Sequence, residues 1–189
     1  MKKQFLNTVL LFLLLSISFT GICQIPFEKF EIKNSKNKTI NLKSVIKKKP
    51  YVLIFLSPDC PISQKYILTL NVLVKINPSI NICGIFTKWD KLKSIRAFKN
   101  KFKPTFNLYS DTKGELVKTV KAETTPEVFF YDANDSLLYA GAIDNWYISL
   151  GENRQAATEF YLAAAINSFK LNEKIKIPFT KSIGCIIEN

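Results

Sequence analysis

The order of apolar segments between residues 51 and 109 constrains this chain more than any other feature of its sequence. Tyr51–Leu56, "YVLIFL", is a continuous apolar run of strand length, the pattern of a strand covered on both faces. Beyond Cys60 the period changes. Ile62, Tyr66, Leu70 and Leu73 recur at spacings of three and four, and Pro61 sits where a first helical residue would. Residues 80–87, "INICGIFT", make a second buried strand, residues 90–102 a basic helix, and residues 105–109 a third extended piece. A β-α-β-α-β order calls for right-handed crossovers and a sheet that is parallel at its centre, with chemistry expected at the carboxyl ends of the strands. Cys60 lies at such an end.

The flanking segments extend this plan. "FEKFEIKN" and "TINLKSVI" read as two extended pieces around the polar turn "SKNK", an N-terminal hairpin. Residues 115–121 make a short helix. Residues 128–131 and 137–142 make two strands joined by the turn at 133–136, whose Asn134 and Asp135 supply turn chemistry. A last helix over residues 154–170 aligns Leu162, Ala165, Ile166 and Phe169 on one face, and residues 174–189 form an extended tail. The whole predicts an α/β fold with a largely parallel sheet core.

The amino terminus is read separately. Lys2 and Lys3, the apolar run at 9–15 and small residues toward Gly21 are the parts of a secretory leader, expected over residues 1–23, with the folded domain at 24–189. Ile22 before Cys23 does not suit a lipoprotein site. An uncleaved anchor is the alternative, but the apolar core falls short of the roughly 20 residues that cross a bilayer. The expected location is therefore exported, periplasmic or secreted.

The chain carries 27 Lys and Arg against 15 Asp and Glu, a formal charge of +12. Its basic residues gather at 47–49 and from Lys88 to Lys103, which is the pattern of a solvated face; an acidic envelope partner or an anionic membrane surface is the functional alternative. No nucleic-acid-binding motif accompanies them. The chain has no histidine, which removes Ser-His-Asp and Cys-His catalysis and histidine metal sites together. No phosphate-binding glycine motif is present either, and no cofactor is expected. Loss of the leader would leave Cys60, Cys83 and Cys185, an odd set of which at most one pair can close.

A cysteine between a buried strand and a helix amino terminus is well placed for thiolate chemistry, because unpaired backbone N–H groups and the helix dipole stabilise the anion. The order of elements and the motifs "SPDCPIS", "TTPEVFFYD", "YAGAID" and "GCII" resemble the thioredoxin-like superfamily, specifically exported redoxin-domain proteins of the AhpC/TSA and thiol–disulfide oxidoreductase kind. That resemblance implies an α/β, thioredoxin-like fold of three layers, a central mixed sheet with helices on both faces and an N-terminal β-hairpin, together with protein or small-molecule thiols and disulfides as partners and Cys60 as the attacking thiol. It also implies that Thr125-Pro126 is a cis-proline loop opposite Cys60, presenting a backbone edge to a substrate chain, with Pro61 beside it.

The second cysteine of the thioredoxin motif is replaced here: Cys60-Pro61-Ile62-Ser63 ends in serine. Ser63 either donates a hydrogen bond to the Cys60 thiolate or is only a polar residue of the first helical turn. Cys185 is the remaining candidate to pair with Cys60, against the alternative that it pairs with nothing and Cys60 works with an external thiol. Peroxidases of this resemblance place a proline seven and a threonine three residues before the attacking cysteine; here those positions hold Leu53 and Ser57, with Arg96 and Arg154 as candidate arginines. A thiol peroxidase is therefore the second hypothesis. The third is a binding module of the envelope in which Cys60 is a small buried residue. The polar neighbours Asp59, Gln64 and Lys65 argue instead for a Cys60 near solvent, although a close Asp59 would oppose its ionisation. Cys83 is expected to pack in the core.

Overall fold

The computed structural model describes residues 27–188, and the leader read over residues 1–23 lies outside them. After a short 3-10 turn at Phe27–Lys29, β1 (Glu31–Asn34) and β2 (Thr39–Asn41) form the expected hairpin. The segment after β2 is not extended. It is a helix, α1 (Leu42–Ile46), because the Asn41 side chain accepts the Lys43 N–H as an N-cap while Leu42 and Ile46, one turn apart, both reach the core.

The remaining elements follow in the predicted order: β3 (Tyr51–Leu56), α2 (Pro61–Ile76), β4 (Asn81–Phe86), α3 (Leu92–Phe102), β5 (Asn107–Ser110) and α4 (Glu115–Val120). Next come the short β6 (Thr124–Thr125), β7 (Glu127–Tyr131) and β8 (Leu137–Gly141), then the small hairpin of β9 (Tyr147–Ser149) and β10 (Glu152–Asn153). The chain closes with α5 (Tyr161–Lys170) and β11 (Cys185–Ile186). The final helix thus begins at Tyr161 rather than at residue 154. The preceding residues are claimed by side-chain bonds that a helix cannot make: the Asn145 amide oxygen accepts both Thr158 N–H and Glu159 N–H, and the Trp146 indole donates to the Arg154 carbonyl.

Seven strands form one sheet in the order β2-β1-β5-β4-β3-β7-β8. β3, β4 and β5 run parallel to one another; β1, β2, β7 and β8 join by antiparallel pairing, which makes the sheet mixed. β3 lies near its centre and every residue in it is buried. Its side chains alternate between two cores. Val52, Ile54 and Leu56 pack with Tyr66, Leu70, Phe98 and Leu162 of α2, α3 and α5, whereas Tyr51, Leu53 and Phe55 pack with Leu42, Ile46, Leu116 and Val120 of α1 and α4. Helices therefore cover both faces, the three-layer arrangement expected. The basic side chains of α3 (Lys93, Arg96, Lys99 and Lys101) are exposed, opposite buried Ile95 and Phe98. No helix among the described residues is long and apolar enough to cross a membrane.

Cys83 sits 2% exposed on β4 among Leu53, Phe55 and Tyr109, and burial pushes its thiol up to about 12. It is a core residue.

Candidate active site at the carboxyl end of β3

β3 ends at Leu56, and the loop that follows delivers Cys60 as the N-cap residue of α2 with extended backbone, φ −83° and ψ 114°. Pro61 takes the first helical position, where its missing N–H costs nothing. Cys60 N–H donates to the Ser57 carbonyl and the Gln64 amide donates to the Pro58 carbonyl, so the loop is fixed on both sides of the cysteine. Ser63 is fully buried one turn in. Its Oγ accepts the Ser57 N–H at 3.3 Å, and its own N–H and hydroxyl lie near enough to the Cys60 sulfur to favour the thiolate.

Across from Cys60 lies β6. The Thr125–Pro126 bond is cis, and the Cys60 thiol meets the Thr125 carbonyl oxygen at 3.0 Å. The carboxyl-terminal tail then runs along the outer edge of β6: β11 pairs antiparallel with it, Cys185 opposite Thr125 and Ile186 opposite Thr124. This register brings the Cys185 sulfur to 2.6 Å from that of Cys60. Four of the six residues singled out from sequence, Cys60, Ser63, Thr125 and Cys185, thus converge on one point; Pro126 follows in the cis loop and Pro61 shapes the helix start.

Cys60, expected near solvent from its polar neighbours, is instead 1% exposed. Asp59 and Lys65 are exposed as their polarity demands, but the sulfur itself is roofed by a tail that arrives 125 residues later in the chain.

The electrostatics of the two sulfurs are unequal. Burial raises the Cys60 pKa, but the Cys185 thiol, the Ser63 N–H, the Cys185 N–H and the Ser63 hydroxyl together outweigh it and bring the group below its ordinary value. Burial and the neighbouring Cys60 push Cys185 up to about 12. The first proton therefore leaves Cys60, and Cys185 holds the other. Such an arrangement has the chemistry to offer a nucleophile and a donor without any imidazole.

The tail is seated by contacts that the sequence did not announce. Ala140 N–H donates to the Pro178 carbonyl, and Thr180 N–H donates to the Ala140 carbonyl. Gly141 has φ +130°, and a side chain there would collide with Thr180, so glycine lets the tail cross β8 at close range. The Tyr139 hydroxyl and the Ala142 N–H both engage Thr180 Oγ1. Asp144 is buried, accepting from the Tyr66 hydroxyl at 2.5 Å and the Trp146 N–H at 2.9 Å; it lines a cleft of about 240 Å3 with Pro126, Arg154 and Lys181. Each of the two arginines considered for a peroxide pocket gives one donor to the backbone: Arg96 Nε to the Ser35 carbonyl and Arg154 Nη1 to the Asn145 carbonyl. Ser57 Oγ donates to Asp90 Oδ1 at 3.2 Å.

Comparison with known proteins follows the same lines. The AhpC/TSA family model matches residues 24–140, which include Cys60 and the cis loop and stop short of the tail. A search of curated proteins gives no match. Among solved structures, a conserved protein of Geobacillus kaustophilus superposes with a TM-score of 0.72 at 17% identity, covering 85% of this chain and 88% of its own. A thioredoxin-like protein from Aeropyrum pernix superposes at 0.56 with 20% identity, over 74% of this chain and 88% of its own. A secreted Mycobacterium tuberculosis disulfide oxidoreductase homologous to E. coli DsbE gives 0.52 at 23% identity, over 57% of this chain and 79% of its own. These likenesses establish the thioredoxin-like fold.

Proposed function

Because the chain belongs to the AhpC/TSA family and has a thioredoxin-like fold, we propose that it is an exported thiol–disulfide oxidoreductase in which Cys60 is the nucleophile and Cys185 the resolving thiol. The observation that carries this is the apposition of the two sulfurs at 2.6 Å, held by strand pairing and not by side-chain packing alone. The leader read at residues 1–23 supports export, as does the secreted nature of the Mycobacterium tuberculosis neighbour.

The Cys60 thiolate attacks one sulfur of a substrate disulfide, forming a mixed disulfide and releasing the other substrate sulfur as a thiolate, which takes up a proton. The Cys185 sulfur, giving up its proton, then attacks Cys60 Sγ. An internal Cys60–Cys185 disulfide forms, and the substrate leaves as a dithiol, two electrons richer. Run backwards, the same steps oxidise a dithiol. Ser63 supports the thiolate in both directions, and the Thr125–Pro126 loop holds the substrate backbone.

The thiol peroxidase alternative asks Ser57 and an arginine to shape a peroxide pocket, but Leu53 occupies the proline position inside β3, Ser57 is tied to Asp90, and both arginines are bound to backbone carbonyls. The expected result is that reduced protein turns over disulfides faster than hydrogen peroxide when an external thiol is supplied to both assays. Rapid peroxide turnover that disappears in Cys60→Ser would reverse this order. Inertness in both assays would leave the binding-module hypothesis.

A further inference from the structure

We propose that residues 182–187, "SIGCII", are a tethered stand-in for the protein substrate: a partner's extended segment, with glycine immediately before its reactive cysteine and an aliphatic residue two positions after it, displaces the tail from β6. This deepens the oxidoreductase proposal and rests on it.

Any incoming sulfur must reach Cys60 Sγ, which is 1% exposed and faced by Cys185. The place for a substrate sulfur is already filled by a cysteine of this chain, borne on a strand that uses the free edge of β6. The fit is detailed on both sides of that cysteine. A Cβ on Gly184 would collide with the Thr125 carbonyl oxygen and come within 2.6 Å of its carbon and 3.1 Å of Pro126 N. The contact is with backbone that cannot swing away, so any larger residue at that position holds the strand off the edge. Two residues beyond Cys185, Ile187 is 6% exposed, packed beside Val117 in the core formed with α1 and α4, and its N–H donates to the Glu123 carbonyl at 2.8 Å. Ile186, between them, is 80% exposed and carries no constraint. Thr125 Oγ1 donates to the Cys185 carbonyl at 3.4 Å, a contact available to any strand in this register, whereas Thr124 Oγ1 meets Ser182 Oγ at 2.7 Å, which needs a hydroxyl side chain at that position.

Tail and partner compete for one edge, so the cycle alternates. The tail lifts; the partner's strand docks and its disulfide is attacked by Cys60, releasing the partner's second sulfur. The tail then returns with Cys185, closing the internal disulfide and expelling the partner's first sulfur as a thiol. Residues 178–180, bound to Ala140, stay as the hinge end of the moving segment.

The test uses the full chain carrying Cys185→Ser and two peptide probes, Ser-Ile-Gly-Cys-Ile-Ile and the same sequence with valine for glycine, each as a mixed disulfide with a chromogenic thiol. The glycine peptide should discharge onto Cys60 about tenfold faster or more, the consequence of a backbone clash in the valine peptide. In parallel, Gly184→Val in the otherwise native chain should raise the alkylation rate of Cys60 by about tenfold or more, since the tail loses its seat. Equal peptide rates, or unchanged labelling in Gly184→Val, overturn the proposal. If Cys60 reacts with a small aromatic disulfide but not preferentially with the glycine peptide, only the mimicry fails. If it reacts with none of them, the oxidoreductase proposal fails with it.

Discussion

Replacing Cys60 by serine is expected to lower disulfide exchange by about a thousandfold or more, because a hydroxyl at neutral pH offers no counterpart to a stabilised thiolate and the site has no histidine to activate one. The fold should survive the change. Cys60 makes its N-cap through backbone geometry, with no side-chain cap bond to lose, and serine keeps a donor toward the Thr125 carbonyl. The same site fixes the pH dependence. Since donors from Cys185 and Ser63 hold the Cys60 pKa below its ordinary value, the thiolate persists below the free-thiol midpoint of about 8.5, and exchange falls only as the pH drops through the lowered value. A reaction profile of the reduced chain with a small disulfide should therefore place its midpoint below that of a free cysteine peptide. A midpoint at or above it contradicts the assignment of Cys60.

Replacing Cys185 by serine should have a large and different effect. The first attack is retained, because serine still offers a hydroxyl to the Cys60 thiolate, but the mixed disulfide cannot be resolved internally. Covalent enzyme–substrate adducts should accumulate on non-reducing gels. Turnover at low external thiol should fall about a hundredfold or more, since a tethered thiol works at effective concentrations of about millimolar and upward. Added small thiol should restore turnover in this variant and not in Cys60→Ser. If Cys185→Ser turns over like the native chain without added thiol, Cys185 is not the resolving group.

The layers and central strands of this fold were legible because their signals are local. Tyr51–Leu56 reads as a doubly covered strand from its unbroken apolar run, and the spacing of Ile62, Tyr66, Leu70 and Leu73 marks the buried face of α2. Two segments were misread for opposite reasons. The five residues of α1 are too few for a helical period to stand out, and only the Asn41 cap distinguishes them from a strand. Residues 154–160 look helical by composition, yet the side chain of Asn145 claims the N–H groups of Thr158 and Glu159.

At the site, Cys60 and the cis-proline loop could be placed from their motifs, but the burial of Cys60 could not. Asp59, Gln64 and Lys65 report correctly on their own surroundings; the roof over the sulfur comes from β11, and pairing at such separation leaves no trace in the neighbouring residues. The usable signal was in the tail itself. A glycine directly before a cysteine in an otherwise apolar, β-prone stretch marks a close approach of backbone to backbone.

The internal couple is tested most directly by digesting the oxidised native protein under non-reducing conditions and mapping its linked peptides by mass spectrometry. A Cys60–Cys185 cross-link, with Cys83 free, is the predicted result; oxidised Cys60 alongside a free Cys185 would contradict it.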